Sequence, residues 1–596
     1  MSGTLALSSA IAAMSRDALA ELVVRRRPQA VSGIVDPIGL AVELLRADSI
    51  ERALRPLDRG SLAAIVSPEH ASVEQLSLLT ALGLLGVDEG RPVALPEAGA
   101  ALAASLDRVG LTVDELIDPV DAGPPQPADT ASWYVPALAS VAIAAETLRA
   151  LRTRPGSLNR SGSVAVATVK ALADSTGIPA HEISCALDAL IAGGLVAPMP
   201  HDALLAWTSG AAEWLELPSP ERWARLAGAV AAGTPAPLRA LLREASGATD
   251  TADADGLAAG IDLAAVLRAL PQRYPLLAAS TVAAVDRFAE LAAHLGLAVG
   301  GTLSEAGRSL VTQSVDDADG ALAIARRDMP APAPGVYIQP DLSVIVPGPL
   351  SPADETALVT FSRPEQTGIA STRRITEAAL AEAFEQGLGV GEARAMLERL
   401  SLTGIPQPLE YMLASLGERI RSIVVHEHDG DEGRTRLEVS RAELRDTLLV
   451  DRALHHLQLA PSAGGDALYS KLRAEHVVAA LVDARYTASY ADLPGRAAPR
   501  LAVPAEPRAG LPADLVGLVD RVHAAAAAEP DASGFTRRLE LAIKDRSTVR
   551  VTASAQGRTH IFTLLPTSLD AGRLRATDPG AGVERTLPVS TITAVE

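Results

Sequence analysis

Cysteine occurs once in 596 residues, at Cys185. One thiol makes neither an intramolecular disulfide nor a thiolate metal cluster, which removes the disulfide-stapled and zinc-ribbon classes. Lysine is nearly as scarce, at positions 170, 471 and 544 only. None of the three ends a glycine-rich loop that cradles phosphates, so a P-loop motor is excluded. HExxH, GxSxG and a GxGxxG at a strand-to-helix junction are missing too, and no nucleophile or acid–base constellation takes their place. Aromatics make up 3% of the chain, so its cores are built from Ala, Leu and Val, which suits close-packed helices. Nowhere do about 18 apolar residues run uninterrupted. No Lys or Arg precedes Arg16, as the charged start of a secretory leader would require. A cytoplasmic protein is expected.

Acidic residues outnumber basic ones and the net charge is -19, which excludes a generally basic nucleic-acid coat but not a local basic face. At about 150 residues per core the length implies roughly four domains. Residues 1–116 read as helices, with Ala18, Leu19, Leu22 and Val23 on one stripe and Val42, Leu44 and Leu45 on another. Ser67 to Gly99 reads as helix, turn, helix and a short extended pair, the order of a small winged helix. A linker rich in Pro and Asp fills 117–132.

The next unit, 133–244, carries the clearest winged-helix plan. Val164, Val166 and Val169 lead into one helix, Ile183, Leu187, Leu190 and Ile191 line a second, and 195–197 with 204–207 form a hairpin. Arg152, Arg154, Arg160 and Lys170 cluster beside it as candidate phosphate contacts, with an ordinary solvated face as the alternative. An acidic linker at 245–262 leads to a helical unit, winged-helix-like in outline, at 263–327.

The unit 333–490 opens with two short strands around Tyr337 to Val346. Ser351 caps a helix that Pro352 begins. From Arg373 to Met412 the spacing predicts three helices. Thr376 caps the first, which carries Leu380, Phe384 and Leu388; Met396, Leu397 and Leu400 line the second. Gly404-Ile405-Pro406 stops the second helix, and Pro408 opens a third with Leu409, Met412, Leu413 and Leu416. His426 to Glu432 gathers two His with carboxylates, but at a glycine-containing strand turn that reads as solvated. His455-His456 reads as helix surface. His181, Glu182 and Cys185 invite a nucleophile, yet helical spacing puts Cys185 beside the core. No catalytic, metal or cofactor site is assigned. A Pro-rich linker at 491–512 precedes a closing unit, 513–596, of one helix and strands near 549–553, 560–564, 572–576 and 585–589.

Several of these residues carry a resemblance. Tyr337-Ile338-Gln339-Pro340-Asp341-Leu342, Arg374-Ile375-Thr376 with Leu380 and Ala383, Gly387-Leu388, and Leu400-Ser401-Leu402-Thr403-Gly404-Ile405-Pro406 together resemble the N-terminal domain of XPB-type DNA helicases. Winged-helix-like segments precede that domain here and no motor follows it, an arrangement similar to the helicase-associated-domain proteins of actinobacteria. The tail, with Leu541-Ala542-Ile543, Leu565-Pro566, Leu569 and Val583-Glu584-Arg585-Thr586-Leu587, resembles a divergent WYL domain, a ligand- or nucleic-acid-sensing module of bacterial regulators. Its naming tripeptide is replaced around Gly572-Arg573-Leu574, and only Arg585 matches a family arginine.

The resemblance implies a mostly α, multidomain chain with a winged-helix-like N-terminal half, an α+β middle domain and a small β-rich C-terminal domain. In function it implies a non-enzymatic accessory protein without cofactor, which binds DNA or an XPB-like helicase in repair or transcription and touches no membrane. Arg573, Arg575 and Arg585 join the candidate nucleic-acid contacts. The alternative is a WYL-type transcriptional regulator with winged-helix DNA binding and a ligand-sensing tail.

Overall fold

The computed structural model describes residues 3–88, 91–116, 128–199, 203–249, 260–312, 318–385, 388–420, 422–462, 464–486, 488–490, 512–527, 532–555 and 558–595. The fold is 57% helical and 19% strand, so helix dominates and several small sheets are set among it.

Three stretches follow one plan of two helices, a hairpin and a helix. The first is Arg59–Val66, Val73–Ala81, the pair Leu85–Asp88 and Arg91–Ala94, then Pro96–Val109. The second is Val166–Thr176, Ala180–Ala192, the pair Val196–Met199 and Leu204–Trp207, then Ser209–Leu215. The third is Leu263–Arg273, Ala279–His294, the pair Ala298–Val299 and Thr302–Leu303, then Glu305–Thr312. A left-handed glycine turns each second helix into its hairpin: Gly83, Gly194 and Gly296, at φ 63°, 66° and 71°. After each hairpin the chain bonds back to the residue following that glycine, Leu95 to Leu84 (3.1 Å), Thr208 to Leu195 (3.0 Å) and Ser304 to Leu297 (2.9 Å). Three residues later Ala98, Ala211 and Gly307 are small and buried, and a Cβ on Gly307 would collide with the Leu297 carbonyl. The first unit corrects the expectation for Ser67 to Gly99. Ahead of the hairpin only Val73–Ala81 is an α-helix there, and its partner lies upstream, capped by Asp58, which accepts from the Ser61 N–H at 2.7 Å.

One apolar core runs from Trp133 to Met329. The expected units 133–244 and 263–327 therefore form a single body. All four tryptophans lie in or against this core, each with its indole N–H bonded: Trp133 to Asp328 Oδ2 (2.9 Å), and Trp207, Trp214 and Trp223 to the carbonyls of Leu148 (2.6 Å), Arg222 (3.0 Å) and Leu295 (2.8 Å). The expected linker 245–262 is shorter than its composition suggested. The Ala236–Thr249 helix enters it from one side, Ile261 is buried at the other, and 250–259 lie outside the described residues. The Tyr134–Thr153 helix is long and apolar enough to cross a membrane by length and composition, but 61% of its apolar window is buried in this core.

A second core joins the two ends of the chain. Leu518, Val519 and Val522 of the Ala513–Ala527 helix are buried with Leu19, Leu22 and Leu40. Arg16 pairs with Asp520 at 2.8 Å, and Arg521 donates to the Val31 carbonyl at 2.9 Å. The first helix of the expected 513–596 unit thus packs with the N-terminal helices. Leu5 reciprocates by packing with Leu539 and Val551 in the C-terminal core. Val42, expected on the stripe near residue 44, is exposed, while Leu40, Ala41 and Leu44 are buried.

The expected unit 333–490 contains two cores. Val336 to Leu416 fill one, around an antiparallel sheet in the order Ser362–Gln366, Ser371–Ile375, Ser343–Val346, Tyr337–Ile338. Ile423 to Leu481 fill the other, around Ala460–Pro461, Ala467–Ser470, Gly433–Val439, Ile423–Gly430 and Ala488–Tyr490. The closing sheet is wholly antiparallel, in the order Val583–Pro588, Arg573–Asp578, Arg558–Asp570, Val549–Ala555, Ile592–Val595. Its last strand was not foreseen. The expected linkers at 117–132 and 491–512 fall largely outside the described residues, at 117–127 and 491–511.

Candidate nucleic-acid interface

The apolar Tyr134–Thr153 helix carries Glu146, Arg149 and Arg152 three residues apart, so they form one polar stripe near its C-terminal end. Facing it is the Pro352–Phe361 helix, whose N-cap Ser351 accepts from the Asp354 N–H at 3.2 Å. That cap places Glu355 in the first turn, where the helix dipole favours a carboxylate.

A ladder of alternating charge connects the two helices and their neighbours. Arg373 reaches Glu146 at 2.7 Å, Arg149 reaches Glu146 and Glu355 at 2.8 Å each, and Arg222 reaches Glu355 at 2.6 Å. Arg373 also donates to the Ser362 hydroxyl at 2.8 Å. Burial pushes the Glu355 carboxyl up, but Arg149 and Arg222 more than offset it and hold the group below the usual glutamate value. Arg222 also lies over the Trp214 ring at 5.4 Å.

Beside the ladder opens a groove of about 790 Å³. One wall comes from the end of the Tyr134–Thr153 helix, the strand Gly156–Ser157 and the Val166–Thr176 helix; the other comes from 356–383. Arg152 and Arg154 line it, both exposed and without a carboxylate in ion-pair range among the described residues. Arg152 lies 5.7 Å from the centre of the Trp207 ring. Arg160 sits in the turn after Gly156–Ser157, and Lys170 is exposed on the Val166–Thr176 helix; both flank the groove rather than line it.

The residues of the second wall have a relative. Residues 336–463 match the family of the helicase conserved C-terminal domain. The match covers all of the first core of this helicase-related domain and part of the second. Comparison with curated proteins found no match. Within the helicase-related domain most of the residues that carried the resemblance do structural work. Leu342, at φ 67°, closes the turn between the first two strands, its N–H on the Gln339 carbonyl at 2.9 Å. Leu400 and Leu402 bond to either side of Val336 at 2.8 Å each, and Gly404, at φ 79°, turns the chain away. The Ala379 N–H donates to Thr376 Oγ1 at 3.2 Å, as a cap should.

The three arginines expected near the chain's end do not converge. Arg573 and Arg575 alternate with buried Leu574 and Ala576 and so share the outer sheet face. Arg585 pairs in register with Ala576 on the opposite face, bound to Asp578 at 2.9 Å and 4.9 Å from the Phe562 ring centre.

The other titratable groups have structural settings. His428 lies 5.0 Å from the Tyr469 ring and His426 lies 3.6 Å from Glu438. Among the described residues, no three His, Cys, Asp or Glu side chains are placed to hold a metal. Cys185 is buried, which pushes its thiol pKa up against the pull of Arg287. Sequence reasoning missed Glu146, Arg149, Arg222 and Glu355. Polar residues at three-residue spacing in an otherwise apolar helix were the available signal.

Proposed function

We propose that the chain is a non-enzymatic accessory protein that binds nucleic acid and works alongside an XPB-like helicase in repair or transcription. The observation that carries it is the cluster Arg152, Arg154, Arg160 and Lys170, without a carboxylate partner among the described residues, beside the helicase-related domain in a chain of net charge -19. The helix–helix–hairpin–helix units, and the strand Gly156–Ser157 that pairs with Leu204–Trp207, support a winged-helix reading of the N-terminal half. The first sheet of the helicase-related domain is antiparallel and the second has a single parallel pair, Ile423–Gly430 with Ala488–Tyr490, which supports a reading without a motor, because nucleotide-driven lobes of the doubly wound kind use mostly parallel sheets. The missing phosphate loop points the same way.

The test is twofold: salt-dependent binding of oligonucleotides by the purified chain, and its co-purification with an XPB-like helicase from cells. Neither being detected sinks the proposal.

A second reading, a WYL-type regulator, draws on the tail, where a second helix not foreseen in the sequence, Ala532–Asp545, precedes five antiparallel strands in one sheet. Genome-wide occupancy separates the two. A regulator sits at a few promoters, whereas a helicase partner does not.

A further inference from the structure

We propose, resting on the nucleic-acid reading above, that the groove between the Tyr134–Thr153 and Val166–Thr176 helices and the Pro352–Phe361 helix seats one single nucleic-acid strand by its phosphates. Charge selects the ligand class. Five arginines and two glutamates line the groove in a strongly acidic chain. Arg373 and Arg149 share Glu146, Arg149 is also paired with Glu355, and Arg363 is paired with Glu382 at 2.7 Å. Arg152 and Arg154 remain to meet an anion. On the opposite wall the exposed Thr356 supplies a hydroxyl of the kind that positions a phosphodiester backbone, whereas those of Thr153 and Thr360 donate to the Arg149 and Thr356 carbonyls.

Size and shape select the form. A groove of about 790 Å³ has small-ligand dimensions, within the ~300–1,000 Å³ of typical pockets. A short stretch of single strand is of a size to enter that volume; a duplex, with two strands and their stacked pairs, is too large for it. Among the described residues no Phe, Tyr or Trp lines the groove, so the grip is on the backbone rather than on stacked bases and is tolerant of sequence.

The duplex-reading alternative is blocked within the same unit. The Ala180–Ala192 helix holds the position that a winged helix would push into a major groove. Here the Ala279–His294 helix packs against it, with Arg287 bound to Asp188 at 2.5 Å and to Ser184 at 3.1 Å. Its ionisable residues, His181, Glu182 and Asp188, include two acids and no Arg or Lys.

The experiment measures anisotropy of labelled oligothymidylate and of a duplex of equal length with the intact chain. Variants are Arg152→Glu with Arg154→Glu, Thr356→Glu on the exposed opposite wall, and Arg25→Ala with Arg55→Ala, two exposed arginines of the N-terminal unit. The expected result is tighter binding of the single strand, weakened about tenfold or more by either groove variant and unchanged by the N-terminal variant. Circular dichroism and the melting transition confirm that each variant folds. Single-strand binding that survives Thr356→Glu overturns the groove while leaving the nucleic-acid reading intact. A duplex that binds more tightly also overturns it, as does a polyglutamate peptide that displaces the oligonucleotide more readily than unlabelled oligothymidylate does. No binding of any nucleic acid overturns both.

Discussion

Arg373 Nη1 lies 2.7 Å from Glu146 Oε1, across 227 positions of sequence and between two separate apolar cores. The junction between the helicase-related domain and the body at 133–329 is therefore held by buried charge. Such a contact is costly to break on one side only, because Glu146 then stays buried with Arg149 alone, a residue it shares with Glu355.

Replacing Arg373 with Met should destabilise the junction, by less than the about 3–5 kcal/mol of an ion left wholly uncompensated because Arg149 still holds Glu146, read as a lowered melting transition and faster proteolysis near residue 330. Combining it with Glu146→Gln should cost clearly less than the two single changes added together. Strict additivity in that cycle would show that the pair does not interact.

His294 is expected to make the fold sensitive to acid. Its side chain is buried, and burial, Arg287 and His181 lower its pKa from 6.5 to about 4 even though Glu182 lies 3.7 Å away. Burial outweighs that carboxylate because the charged ring would lose its water. A depressed histidine stabilises fully above the unfolded pKa, and its contribution falls as pH drops from about 6.5 through about 4. The loss across this window is on the order of 3 kcal/mol, and His294→Gln should flatten the stability profile there. An unchanged profile would remove His294 as its cause.

Truncating the chain after residue 490 should unfold the N-terminal unit as well as remove the tail, since Leu518, Val519 and Val522 are buried among N-terminal side chains. In the full chain Leu518→Ala should cost about 2–5 kcal/mol. A fragment of 3–116 that melts cooperatively on its own would contradict this.

The left-handed glycines should differ in tolerance. At Gly194 a Cβ meets nothing within 4 Å, so Gly194→Ala should cost about 1–2 kcal/mol from backbone strain alone. At Gly296 the Cβ would also collide with the Trp133 carbonyl, and Gly296→Ala should be the more damaging change. Equal melting shifts for the two would refute the packing part of this account.

Local structure was legible where short-range chemistry decides it. Thr376 and Ser351 cap helices as their positions suggested, and Leu380, Phe384, Leu397, Leu400, Leu409 and Leu413 are buried as their spacing required. Arg152, Arg154, Arg160 and Lys170 were visible as a cluster because they are near in sequence. What local periodicity cannot express is which faces meet. Leu518 reads as an ordinary helical leucine, and nothing around it names Leu19 or Leu22 as its neighbours. The groove was hidden for the same reason, its walls lying about 200 positions apart. Arg573, Arg575 and Arg585 looked like one group because the strand register that sends Arg585 to the other face is set by the hairpin. The threefold unit left a trace in Gly83-Leu84, Gly194-Leu195 and Gly296-Leu297, but hairpins of unequal length blur its period.

The most direct test of the central claim is a salt titration of the intact chain's affinity for a short single-stranded oligonucleotide. Two unpaired arginines on phosphates predict measurable binding at low salt and a log–log slope of about -1.4 or steeper, at about 0.7 per contact. Absent binding at low salt, or an affinity that salt does not change, would contradict it.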